Sequence, residues 1–563
     1  MQELLRALPL LAALGLAHAH GHAAEPVLIH NAHGLTLDAQ GRVLRFEALL
    51  TDADGRVKAT GTLRQLQARA QNARRIDAQG RVLMPGLIDA HVHMADLGVS
   101  RGQLSLRDTP DLATALAAVR AYAADHADSA WIRGGGWNQA IWKLGRFPTA
   151  GELDSAESIR PVWLERVDGH AGWANSRALS LAGITRDTPD PAGGRIERDA
   201  SGDPTGVLVD GAMELIEHRL PASTPEETRA ALAAAQQELL SLGLTGIHDA
   251  GISETADREL RDMAAKGTLQ LRVDGMALLT DASLIAKLRA SGPIQPMADG
   301  MYSLRAIKVF ADGALGSRGA ALLAPYSDLP ESRGLLFQND AELTAQIRPL
   351  VGMGFQINVH AIGDAANRQA LGAFESMHRV YGSKSVLLRH RIEHAQVIAL
   401  SDIPRFAKSG VIASVQPVHA TSDINMAEDR IGPDRIQGAY AWQRLIQSGA
   451  RLACGSDTPV EEPTPWAGLY AAITRQDAEG HPPGGWYGAQ AMSRTQALAC
   501  FTTWAAYAAH REDEVGSLLP GHRADFILVD RDPLSVEARG LLHTKVLQTW
   551  VGGQLVYASE GER

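Results

Sequence analysis

The chain has 563 residues, room for three or four domains of about 150 residues or for one large barrel with attachments. With 45% hydrophobic and 21% charged residues it buries a sizeable core and is not disordered, and 55 glycines without a period and only two cysteines exclude collagen-like and disulfide-built scaffolds. A net charge of −10 with no Lys/Arg block argues against a nucleic-acid partner and an anionic membrane surface.

Residues 1–24 (MQELLRALPLLAALGLAHAHGHAA) read as a secretory signal peptide in preference to an N-terminal helix. Arg6 gives the positive start, 7–16 the short apolar run, and Ala17-His18-Ala19 or Gly21-His22-Ala23 the cleavage pattern. No cysteine sits there to anchor a lipid, and no later run approaches the ~20 apolar residues that span a bilayer. A periplasmic or secreted chain without stable membrane insertion is expected. Cys454 and Cys500 can pair in that compartment, but in so large a protein two isolated core thiols are the expectation.

Short β runs follow at 27–29, 43–50 and 81–83, and again at 524–529, 546–551 and 554–557. They predict a small β-sandwich domain built by both chain ends, 25–83 with 515–563. Between them eight apolar runs alternate with helical stretches such as 226–242 and 341–352: 87–93, 244–250, 269–277, 304–313, 355–363, 387–395, 411–417 and 451–457. The count predicts an α/β fold, a (β/α)8 TIM barrel over 84–514. The gap from His93 to Leu244 is too long for one crossover and must hold an inserted subdomain after the first strand, about 130–215.

Chemistry in such a barrel sits at the C-terminal strand ends. His91 and His93 end the first run two residues apart, so both imidazoles face one way. His360, His394 and Asp457 each close another run. Any one of them is explained as a core histidine or a capping aspartate, but so many polar groups at one end are costly to bury unless something binds them together. Imidazole with carboxylate suits zinc and similar divalent ions. Lys308 is the odd member: either a snorkelling lysine, or an amine that CO₂ converts to a metal-bridging carbamate.

At these residues the chain resembles the amidohydrolase superfamily, in its YtcJ-like, amidohydrolase-3 branch. The resemblance runs from Val27 to Tyr557 and rests on PGLIDAHVH, GGGWNQ (134–139), RVDGH (166–170), PTGVLVD (204–210), KVFADGALGSRGA (308–320), NVHAIGDAAN (358–367), HRIEHAQ (390–396), QPVHA (416–420), GSDTPVE (455–461) and GSLLPGHRADFILVD (516–530). It implies a metal site of His91, His93, carboxylated Lys308, His360, His394 and Asp457, with all six positions carrying the expected residue type. The expected cofactor is a divalent metal, zinc first with Mn or Fe as options, and whether one or two ions bind stays open.

The reaction expected is hydrolysis of a C–N bond in a small molecule, an amide, an N-formyl or N-acyl amine or a cyclic amide. Asp457 and His394 are the candidate catalytic residues, with Asp457 the general base. Trp137, Asn138, His170, His248, Arg318, Gln416 and His419 are candidate substrate contacts, each with a structural role as its alternative, and Asp364 is a candidate to orient His360. Five tryptophans between 131 and 173 suggest either a subdomain core or a wall for an apolar substrate. Two further readings compete. The same site can cleave an ester or carbamate or carry out hydration, or the chain can be an exported binding protein, against which the intact Asp457 counts. A homodimer paired through an exposed barrel face is compatible with the fold.

Overall fold

The computed structural model describes residues 25–562, and the signal-peptide reading over 1–24 lies outside them. All eight predicted strands form. In chain order they are β1 (Leu87–Val92), β2 (Leu244–Ile252), β3 (Arg272–Leu278), β4 (Tyr302–Phe310), β5 (Gln356–Ala361), β6 (Arg391–His394), β7 (Ile412–Val415) and β8 (Leu452–Cys454). Each pairs in parallel with its sequence neighbour. The ring is nearly closed: a Val92–Thr458 bridge and an Asp457 N–H donated to the His91 carbonyl at 2.8 Å join its ends. The helices expected around it are present, and two start on reciprocal caps, Thr224 with Glu227 ahead of Pro225–Ser241 and Asn339 with Glu342 ahead of Asp340–Gly352.

Both chain ends build the outer β layers. One six-stranded sheet runs Gln554–Ala558, Val546–Val551, Phe526–Val529, Val82–Pro85, His33–Leu37, Val43–Phe46, so three C-terminal strands join three N-terminal ones where Phe526–Val529 pairs with Val82–Pro85. A four-stranded sheet of residues 27–77 faces it across Val27, Ile29, Leu49, Leu83, Phe526 and Trp550. Among the described residues no helix is long and apolar enough to cross a membrane.

Between β1 and β2 lies a second six-stranded sheet, in the order Gly194–Arg198, Pro204–Asp210, Ala171–Ala174, Val162–Arg166, Ile132–Trp137, Leu104–Ser105. It takes in residues well ahead of 130, because the two-residue strand at Leu104 and the helix Leu112–Asp125 pack on it. The tryptophans settle into its two cores. Trp173 meets Trp137 and Trp142 edge to face on one side of the sheet, and Trp163 lies on the other. Each buried indole removes roughly 150–250 Å² from water, on the order of 4–6 kcal/mol of gross burial apiece, which is why they hold the sheet and do not wall a pocket.

The cysteines correct the expectation of free core thiols. Cys454 at the end of β8 and Cys500 at the end of helix Arg494–Cys500 form a disulfide with Cα atoms 5.1 Å apart. Strand and helix reach this geometry only through tertiary packing, across 46 residues of chain. Closing that loop restricts the unfolded chain, so Cys500→Ser is expected to cost about 2–4 kcal/mol in chemical denaturation, and the oxidised protein to show no alkylatable thiol by mass spectrometry. Two titratable thiols in the native protein would remove the bond.

Candidate metal centre

Inward-facing residues of the strands stack in layers, and the uppermost layer gathers the predicted ligands. His91, His394 and Asp457 each offer a donor atom within 4.8 Å of the others, all three buried. Asp457 Oδ1 lies 3.3 Å from His91 Nε2 and 3.2 Å from His93 Nε2, while Oδ2 is turned toward His394 Nδ1 at 3.9 Å and His419 Nε2 at 3.7 Å. The Lys308 amine stands 3.3 Å from His91 Nε2, and the His360 ring centre is 4.5 Å from that of His394.

Local backbone brings two of these groups in. Alternation along β6 points Arg391 and Glu393 into the barrel and turns position 394 away; His394 reaches the site because its φ is +72°. Asp457, beyond the end of β8, has φ +63°. Each left-handed residue stores about 1–3 kcal/mol, a strain that concentrates where a side chain must be aimed. Gly455 makes room for this loop, since a Cβ there would lie 2.5 Å from the His91 nitrogen and 2.6 Å from Asp89 Oδ1.

Beneath the ligands is a charged layer absent from the sequence reading. His91 Nδ1 donates to Glu393 Oε2 at 2.6 Å, and Arg391 clamps Glu393, with Nε 2.7 Å from Oε1 and Nη2 3.0 Å from Oε2. The same guanidinium donates to the Ala90 carbonyl and to Ser414 Oγ. Glu393 stands one position before His394 in RIEH, a signal that went unread because which carboxylate reaches which imidazole is a cross-barrel fact. Gln416 Oε1 accepts from His394 Nδ1 at 2.8 Å. Both acceptors fix the hydrogen on Nδ1 and leave the Nε2 lone pairs of His91 and His394 for the site.

Electrostatics follow from burial. It pushes His91, His360 and His394 well below the ordinary imidazole range, as do their cationic neighbours, and brings the Lys308 ammonium down to about 8. Burial also opposes ionisation of Asp457, but the His91 and His93 imidazoles outweigh it and hold that carboxyl well below the usual range. These groups fit a divalent ion: neutral imidazoles and an ionised carboxylate face one volume, and His360 Nε2 is buried with no hydrogen-bond partner among the described residues.

The inserted sheet adds one residue to the rim. His170 Nδ1 bonds Asp210 Oδ1 at 2.8 Å, and its ring centre lies 5.0 Å from that of His360. Asp210 is pressed so closely against Gly313 and Gly319 of the loop after β4 that a side chain at either would strike its carboxylate. Arg166 spans Gln139 and Asp168 and lies against Gly316 of the same loop. Those glycines are the reason for the spacing in ADGALGSRG.

Four candidate contacts are placed elsewhere. Trp137 is fully buried and donates its Nε1–H to the Leu164 carbonyl at 2.7 Å, a core residue. The Asn138 oxygen accepts from the Ala140 amide within its own turn. His248 lies below the ligand layer, 2.9 Å from Arg391 Nη1, because β2 points it into the barrel interior one layer too low. Arg318 pairs with Asp328 at 2.9 Å. Asp364 accepts from the Leu323 amide and does not reach His360; the carboxylate near that ring is Asp312, 3.7 Å from Nε2, which itself accepts from the Ile362, Gly363 and Ala321 amides.

Comparison with known proteins agrees with this architecture. The profile of the amidohydrolase family matches residues 74–557. YtcJ of Bacillus subtilis (strain 168) is 32% identical over 521 residues, 91% of this chain and 96% of its own. An N-substituted formamide deformylase of Arthrobacter pascens is 29% identical, covering 95% of this chain and 99% of its own. An uncharacterized metal-dependent hydrolase of Pyrococcus horikoshii OT3 superposes with a TM-score of 0.74 at 27% identity, over 91% of this chain and 99% of that one. With eight strand ends converging on a buried imidazole–carboxylate cluster, and a family profile matched from the first β layer to the last, this chain belongs to the amidohydrolase family.

Proposed function

We propose that the protein is an exported metal-dependent amidohydrolase that cleaves the C–N bond of an amide, an N-formyl or N-acyl amine or a cyclic amide. The observation that carries this reading is Asp457. It is a buried carboxylate with one oxygen against His91 and His93 and the other turned toward the pocket rim. A base placed there serves turnover, not mere binding. The likeness to a formamide deformylase supports the choice of bond. His91, His93, His360, His394 and Asp457 would hold the ion, zinc by donor type with Mn or Fe as alternatives, and Lys308 would join them as a carbamate. A bound divalent ion supplies water acidified to a pKa of ~7 and polarises the scissile carbonyl.

The chain's own groups do the proton work. Asp457 Oδ2 takes a proton from the attacking water and returns it to the departing nitrogen. His170, fixed through Nδ1 by Asp210, presents its other nitrogen at the rim and orients the substrate carbonyl. Lys308, with its ammonium brought down to about 8 by burial, has a free amine fraction at neutral pH. Addition of CO₂ to that free amine opens one C=O π bond, forms an N–C bond and releases one proton to solvent; counted from the ammonium two protons leave, and a buried cation gives way to an anion. Export is supported by the Cys454–Cys500 pairing, which persists in oxidising compartments.

The decisive experiment follows turnover of N-formyl and N-acyl amines beside metal content. Chelation should abolish activity, and Zn²⁺ or Mn²⁺ restore it. Asp457→Asn should retain most metal yet lose ~10²–10⁴ in kcat, and near wild-type turnover would remove Asp457 from the role of base.

Glu393→Gln keeps the shape but weakens the hold on His91. It should lower metal affinity or activity about 10–100-fold in a chelator competition, and an unchanged affinity would mean that Glu393 serves the fold alone. For export, N-terminal sequencing of the chain from the periplasm should begin after Ala19, Ala23 or Ala24, whereas an intact cytoplasmic Met1 would refute it.

A further inference from the structure

A second recess lies at the opposite end of the barrel from the ligands. It is a groove of about 620 Å³ between the turn 37–41 of the end sheet and the helices Arg494–Cys500 and Thr503–Ala508. Arg451, which immediately precedes β8, is on its wall, so the groove opens at the N-terminal strand ends, whereas the ligand layer is at the C-terminal ends. Its volume falls in the range of about 300–1,000 Å³ typical of small-molecule sites.

The lining has an aromatic side and a donor side. Trp504 supplies ring surface, with Leu37, Ala499 and Leu519 adding aliphatic area, and Tyr507 backs the donor side. Tyr507 is rigid, sandwiched between the Arg389 guanidinium at 3.7 Å and that of Arg451 at 4.0 Å. Among the described residues the Arg451 side chain has no hydrogen bond and no carboxylate partner, and the same holds for hydrogen bonds of Trp504 Nε1 and the Thr495 and Thr503 hydroxyls. His522 Nδ1 is buried and likewise unpartnered. The acids nearby do not offset this. Glu512 is taken by Arg389 through two bonds of 2.8 and 2.5 Å, and Asp38 by Arg42 at 2.7 Å; only Asp513, exposed at the edge, is free.

We propose that this groove is a second ligand site, distinct from the metal centre, for a planar aromatic carboxylate. The ring would lie on the Trp504 indole, and the carboxylate would take the forked donors of Arg451, with the threonine hydroxyls as further donors. A guanidinium already held over the Tyr507 ring, 4.0 Å from its centre, loses little freedom on meeting a carboxylate, which favours an anion over a neutral aromatic. The site is independent of the hydrolytic reading, since none of its residues belongs to the ligand layer.

The test is titration calorimetry of the metal-loaded protein with 2-naphthoate, with 2-naphthalenemethanol as the neutral comparison. Expected is one saturable site per chain with a Kd below about 1 mM, weakened about tenfold or more for the alcohol and for Arg451→Met and Trp504→Ala. Arg451 is exposed and Trp504 is half-buried against the barrel core, and a thermal melt confirms that each variant folds; Arg451→Met decides alone if Trp504→Ala does not. Binding should be unchanged in Asp457→Asn and after chelation. Absence of saturation below about 5 mM would overturn the proposal. So would binding that survives Arg451→Met but is lost with the metal, because the probe would then occupy the catalytic pocket.

Discussion

The structure depends on keeping Asp457 ionised in a volume from which water is largely excluded. An isolated carboxylate there would take up a proton, since desolvation favours the neutral form. The imidazoles gathered around it, with His93 made more basic by its bond to one carboxylate oxygen, reverse that preference. His91 and His394 must in turn be held in place. Glu393 and Gln416 do so through the Nδ1 atoms, and Arg391 neutralises Glu393 from below. Each group thus makes the next one tolerable, down three layers of the barrel. Removing one member leaves a buried charge without its partner, and that is more costly than losing the contact itself.

The same constraint explains why the ring needs its outer parts. Short strands of three or four residues at β6, β7 and β8 place their last residues in a tight ring, but leave a seam between β8 and β1. The Asp457 amide and the Val92–Thr458 bridge close it above, and the disulfide ties β8 to the helix behind it. The inserted sheet is docked by polar fit. Asp210 and Arg166 nest against glycines of the loop after β4, so His170 meets the rim from a body with its own two hydrophobic cores. Arg107 reaches from that body to the carbonyls of Pro459 and Val460, just past Asp457, which links the insertion to the loop that carries the base.

Much of this was legible in the residues. Apolar runs marked all eight barrel strands and helical patterning the stretches between them, because a barrel strand is buried on both faces and a covering helix on one. The β runs at both termini announced a domain closed by both ends. The ligand set stood out because histidine and aspartate are expensive at successive strand ends. What failed, failed where a side chain had two plausible partners. Trp137 was balanced between core and pocket, and His248 and Asp364 sat beside strand ends without reaching the ligands. Depth along the barrel axis decides such cases, and a shift of two residues along a strand moves a group by a whole layer.

The sequence by itself determined the secondary structure, the eightfold repeat and the identity of the groups that crowd one end of the barrel, since these follow from local periodicity and from the cost of burying polar residues. Only the tertiary structure decided that Glu393 orients His91, that Asp312 and not Asp364 lies near His360, that Cys454 meets Cys500, and that Asp210 carries His170 to the rim. Each of these pairs joins residues that are non-adjacent in the chain, so their meeting depends on strand register, on layer height and on two left-handed residues, His394 and Asp457. Hydrophobic patterning says which face of an element is buried, but not which buried group stands opposite it.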